Sequence, residues 1–145
     1  MDTEMPNKTI QRTALILVVC YTFVLLYWMF FAFGRTHLEA EGYRYNLIPF
    51  RTIEHFIEIQ SKYRMSSFIN LIGNVAVFVP FGVLLPLLAP YSLRRWTALY
   101  SIGISVLELL QLLTKRGMLD IDDLILNVAG FLIGYGMLAL IRKVR

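Results

Sequence analysis

Cysteine is nearly absent from the 145 residues: Cys20 stands alone, so no bridge forms within the chain and a disulfide-built mini-protein is excluded. Charge is scarce as well, at 17% Asp, Glu, Lys and Arg against about 25% in an ordinary soluble domain. No Lys/Arg run is interleaved with aromatics, so the net charge of +4 gives no footprint for nucleic acid, and no nucleic-acid partner is expected. A CxxC, an HExxH, a phosphate-cradling glycine loop and a Ser/His/Asp order are all missing. The two histidines, His37 and His55, fall in polar loop sequence and read as loop residues rather than ligands. No cofactor is therefore expected, and the sequence leaves a metal and any catalytic residue undetermined. What the chain does have is apolar surface: 57% hydrophobic and 14% aromatic residues with a mean hydropathy of +0.61, which excludes a disordered tail and points to a bilayer as solvent.

Four apolar runs carry that excess. Thr13 to Phe33 and Phe68 to Leu88 contain no formal charge, and each is about as long as a helix needs to be to cross hydrocarbon. Trp96 to Leu113 and Leu124 to Ile141 are shorter, and Glu108 is the one charge inside either. The expectation is an all-α integral membrane protein, a single domain over 1–145 with four transmembrane helices at about 13–33, 68–88, 96–113 and 124–141. Phe31-Ala32-Phe33 makes a poor signal-peptidase site, so the first span is expected to stay in the mature protein. Pro80 and Pro86 lack backbone donors and should kink the second span toward its end.

Orientation is less determined, because each side of this topology carries seven Lys/Arg. Acids are concentrated on the side of the first and third loops, which favours cytoplasmic N- and C-termini in a multi-pass plasma-membrane protein. The long loop between helices 1 and 2 reads as extended over Tyr43 to Phe50 and helical from Thr52 onward. Ile53, Phe56, Ile57 and Tyr63 recur at helical spacing, with Arg51, Glu54, His55, Glu58 and Lys62 mostly opposite. That pattern predicts a short amphipathic interfacial helix, either a lid over a site or simple packing on the bundle.

Polar side chains within the spans are costly in hydrocarbon, and ionisable ones usually mark a functional interior. Asn70 and Asn74 are four apart on the second helix, and Glu108 and Gln111 three apart on the third. Asp120, Asp123 and Asn127 follow at spacings of three and four near the start of the fourth, so each set shares one helical face. The second helix begins, the third ends and the fourth begins on one side of the membrane. All seven residues should therefore sit in one leaflet, with Asn74 and Glu108 each roughly 8–9 Å inside its span end at 1.5 Å per residue. The prediction is a polar, acidic outer-leaflet pocket beneath the first loop. Competing readings stay open: Asn and Gln also serve as interhelical hydrogen-bonding groups. Asp120 and Asp122 suit a helix N-terminus and can pair with Lys115 or Arg116. Gly130 and Gly134 form a GxxxG that suits close helix packing or a homodimer.

Four blocks taken together resemble the VanZ-like family: Asn46-Leu47-Ile48-Pro49-Phe50; Asn70-Leu71-Ile72-Gly73-Asn74 with Phe78-Val79-Pro80-Phe81-Gly82; Glu108-x-x-Gln111; and Asp120-Ile121-Asp122-Asp123-x-x-x-Asn127-x-x-Gly130-x-x-x-Gly134. The resemblance spans about Asn46 to Gly136, and Val128 departs from the threonine of the family pattern. It implies a Gram-positive membrane protein whose family namesake gives low-level resistance to teicoplanin, a lipid-tailed glycopeptide, without remodelling the peptidoglycan terminus. The binding candidate it adds to the pocket is Asn46; if a lipid or precursor is bound, Arg44 and Arg51 of the long loop could meet its phosphate. Three mechanisms follow. One is binding or shielding of a membrane lipid, a lipid-linked peptidoglycan precursor or the lipoglycopeptide itself. The second is an intramembrane enzyme on a lipid-linked envelope component, with Glu108 as general base and Asp120 and Asp123 as metal ligands or acid partners. The third is a scaffold or transport subunit.

Overall fold

The computed structural model describes residues 6–32, 42–58 and 71–144. Phe33, His37, Lys62, Tyr63 and 68–70, with Asn70, lie outside the described residues. Asn7 opens the first helix, α1 (Lys8–Phe30), by accepting the Ile10 N–H on its side-chain oxygen at 2.9 Å. Only Ala14 and Leu25 of α1 are buried, whereas Leu15, Ile16, Phe23, Tyr27 and Trp28 are exposed around its circumference. A helix that is apolar all round and unburied by its own chain belongs in lipid.

A two-residue strand, β1 (Tyr45–Asn46), and the eight-residue helix α2 (Arg51–Glu58) follow. Residues 71–76 form the described part of α3, and α4 (Val79–Leu84) continues after a break at Val77 and Phe78 into a 3-10 turn at Leu85–Leu87. Pro80 cannot donate to the carbonyl four residues before it, which accounts for the break, and Pro86 sits in the 3-10 turn. The Tyr21 hydroxyl of α1 donates to the Val77 carbonyl at the break, at 2.8 Å. Helix α5 (Leu93–Leu113) starts three residues before the expected span because Ser92 caps it. Helix α6 (Ile121–Val144) likewise starts at Ile121 rather than Leu124. Strand β2 (Leu119–Asp120) precedes it and pairs in parallel with β1, Tyr45 beside Leu119 and Asn46 beside Asp120.

Three of these helices, α1, α5 and α6, are long and apolar enough to cross a membrane. The interrupted Leu71–Leu87 segment counts 17 residues, short of that length. Its place in the bundle is nevertheless central, because α3 and α4 lie directly on α6. A Cβ on Gly130 would stand 2.2 Å from the Val75 carbonyl oxygen, and one on Gly134 2.1 Å from that of Val79. The GxxxG face is thus occupied within the chain. Around this contact Phe78, Phe81, Tyr100 and Phe131 form an aromatic core, with Tyr100 stacked on the fully buried Phe131 at 4.5 Å.

At the end of α5, Lys115 adopts a left-handed conformation (φ 53°). The Lys115 N–H reaches the Leu112 carbonyl and the Arg116 N–H that of Gln111, both at 3.0 Å, which is a Schellman turn with lysine where glycine is preferred. A Lys115→Gly protein should therefore unfold in detergent with about 1 kcal/mol more stability than Lys115→Ala. Both lose the lysine contact with the Tyr43 ring at 5.6 Å, so their difference isolates the backbone strain. Equal midpoints would refute it.

Candidate functional site

The C-terminal ends of α1 and α5 meet the described part of α3 and the N-terminal end of α6, and a cavity of about 250 Å³ lies among them. Helical phase selects what faces it. On α5, Glu108 and Gln111 are one turn apart, both at 4% exposure, in a helix whose neighbours Leu109 and Leu110 face outward. On α6, Asp123 and Asn127 share one face, and on α3 Asn74 sits one turn before Phe78. The walls are completed by Met29 of α1 and by Gly117 and Met118 of the α5–α6 connection.

Within this lining, the Asn74 amide approaches the Asp123 carboxylate at 3.4 Å, while the Gln111 amide donates to the Met29 carbonyl at 2.8 Å. Arg116 makes a matching bond to the Phe30 carbonyl at 2.8 Å and lies 4.5 Å from the Phe31 ring centroid. Gln111 and Arg116 thus both donate to carbonyls in the last turn of α1, and the cation suits the negative end of the dipole. Asn127, at 3% exposure, makes no hydrogen bond among the described residues.

A second polar cluster lies beside the cavity and is built differently. Asp122 is completely buried and accepts the backbone N–H groups of Phe50, Thr52 (2.7 Å) and Ile53 (3.2 Å), so a carboxylate from α6 caps α2 across some seventy residues of chain. Asp120 accepts from the Thr52 hydroxyl at 2.6 Å, from the Asn46 amide at 3.1 Å and from the Asp122 N–H at 2.9 Å. That last bond caps α6 itself and explains why the helix begins at Ile121. The Leu119 N–H adds a bond to the Arg44 carbonyl at 3.1 Å.

The expected single pocket is thus two adjoining groups. Asn74, Glu108, Gln111, Asp123 and Asn127 line the cavity; Asn46 and Asp120 belong to the clamp that holds the 42–53 segment against α6. Arg51 stands exposed at the start of α2, and Asn70 lies outside the described residues. The sequence reading missed Asp122 and Thr52 as the centre of the clamp. The alternation of Asp120 and Asp122 was an available signal, since a capping aspartate and a second acid two residues on point in different directions. Met29, Gly117 and Met118 carried no signal. Among the described residues no group of three or more His, Cys, Asp or Glu is gathered to hold a metal ion.

A family model described as VanZ/LLP1 matches residues 15–142. No curated protein and no solved structure matches the chain.

Proposed function

This chain belongs to the VanZ/LLP1 family, and from that premise we propose that it is a multi-pass plasma-membrane protein giving low-level resistance to teicoplanin and related lipoglycopeptides by binding or shielding an envelope lipid, a lipid-linked wall precursor or the drug. The observation that carries this reading is the cavity among α1, α3, α5 and α6, whose polar lining includes the buried Glu108 inside an otherwise apolar helix. In the proposed topology the termini are cytoplasmic and the cavity opens in the outer leaflet, with α2 at the interface above it. The fourth crossing is made by 68–88. Its Leu71–Leu87 portion extends about 25 Å at 1.5 Å per residue, close to the roughly 30 Å of a hydrocarbon core. Arg44 and Arg51 stand on the loop side, where a lipid phosphate would lie.

The test is teicoplanin and vancomycin susceptibility in a Gram-positive host expressing wild type or Glu108→Gln at matched membrane levels. Wild type should protect selectively against teicoplanin, and the variant, which keeps the side chain's size and loses its carboxylate, should lose that protection. Absence of protection by wild type would refute the resistance reading. Equal protection by both would remove the cavity from it.

A further inference from the structure

We propose that the group received by the cavity is a hydroxylated ring of the glycosyl type, an inference that rests on the lipid-binding reading above and names its ligand class. Three features converge on it. The lining combines carboxyl groups, which accept hydrogen bonds when ionised, with the carboxamides of Asn74, Gln111 and Asn127, which both donate and accept. An ammonium only donates, so it would pair with the carboxyl and carbonyl oxygens and leave the amide N–H groups without a partner. A phosphate only accepts, and it would meet Glu108 and Asp123 with like charge. A hydroxyl answers both kinds of partner.

The second feature is Asn127. Its side chain borders the cavity at 3% exposure and bonds to nothing among the described residues, leaving both a donor and an acceptor for an occupant. Its amide atoms open on the cavity rather than being sealed off from it, so an occupant can reach both. The third is size and apolar lining. At 250 Å³ the cavity has room for about eight waters at roughly 30 Å³ each, more than an amine needs and enough for a sugar ring. Met29, Phe78 and Met118 give it apolar walls, against which the C–H faces of such a ring can lie while its hydroxyls reach the polar side.

The same ring can be offered by a membrane glycolipid or by a free glycoside. Purified protein would be titrated by native mass spectrometry with glucosyl-diacylglycerol, phosphatidylglycerol or phosphatidylethanolamine, each alone and in competition with octyl glucoside. Wild type should bind the glucosyl lipid about tenfold more tightly than either phospholipid, the worth of one or two buried hydrogen bonds. Competition by octyl glucoside would assign recognition to the ring alone, and lack of competition to the ring on its lipid. Asn127→Leu should bind all three lipids equally, while its unliganded thermal midpoint equals or exceeds that of wild type, which a purely structural asparagine would not allow. Asn127→Ala gives the same comparison if leucine is too large. Preference for phosphatidylethanolamine or phosphatidylglycerol, or an unchanged glycolipid preference in both Asn127 variants, would overturn the glycosyl assignment and leave lipid binding standing. Retention of no lipid at all would overturn both.

Discussion

Asp122→Ala should lower folding stability by about 3 kcal/mol or more and release the segment around α2, because each hydrogen bond to a charged group contributes about 1.5–3 kcal/mol. The carboxylate is completely buried and accepts three backbone N–H groups, those of Phe50, Thr52 and Ile53, at the start of an eight-residue helix. A helix so short has little stability of its own, so α2 depends on this cap for its position. Phe50 is moreover held in a left-handed conformation (φ 69°) that a free chain would leave. Asp122→Asn keeps one acceptor and turns an amide donor toward backbone donors, so it should fall between wild type and alanine. Asp120→Ala should be milder, since two of the bonds it loses are to side chains, Asn46 and Thr52, that can turn toward water. Because both aspartates hold Thr52, their double variant should lose less than the sum of the singles. Detergent thermal unfolding measures the stabilities, and limited proteolysis reads the release, with new cleavage expected between 42 and 58. Wild-type midpoint and cleavage pattern in Asp122→Ala would show that α2 is held by something else.

The contrast between Asp122 and Asp123 shows where a single sequence stops being informative. Long apolar runs have one economical solution in hydrocarbon, so α1, α5 and α6 were legible from length and hydropathy. Faces were legible too, since spacings of three and four place Glu108 with Gln111 and Asp123 with Asn127 whatever the partner helix is. The start of α6 was not, because a hydropathy window ends at the first charge, whereas the helix begins where Asp120 caps it, three residues earlier than the expected Leu124. That shift puts Asp122 and Asp123 inside the first turn, about 100° apart, one toward α2 and one toward the cavity. The partners of Gln111 and Arg116, carbonyls at the end of α1 more than eighty residues away, leave no local pattern at all. The second apolar run is uninterrupted in hydropathy, and only its two prolines signal that Leu71–Leu87 divides into two short helices with a break between them and a closing 3-10 turn.

Gly82→Ala, Gly130→Ala and Gly134→Ala should each cost about 1–3 kcal/mol or more, the range for forcing atoms into a packed contact. Alanine at Gly103 or Gly136 should instead be neutral or stabilise by up to about 1 kcal/mol. All five glycines lie in helices, so helix propensity alone predicts the same small gain everywhere. Surroundings separate them. A Cβ at Gly82 would lie 2.0 Å from the Phe131 carbonyl oxygen, and those at Gly130 and Gly134 2.2 and 2.1 Å from the carbonyls of Val75 and Val79, whereas Gly103 and Gly136 have nothing within 4 Å. The obstructing atoms are backbone on helices already in contact, so no side-chain rotation relieves the clash, and α3 and α4 would have to move off α6. Asn74, Phe78, Asp123 and Asn127 reach the cavity from these same helices, so the separation would also widen it. A glycine seam between two copies of the chain predicts the opposite pattern: monomer stability unchanged and a dimer lost in Gly130→Ala and Gly134→Ala. Thermal midpoint and oligomeric mass, measured on the same purified samples, separate the two. A midpoint that falls only in the first three variants places the glycine contact within one chain and makes it the joint that sets the cavity's width.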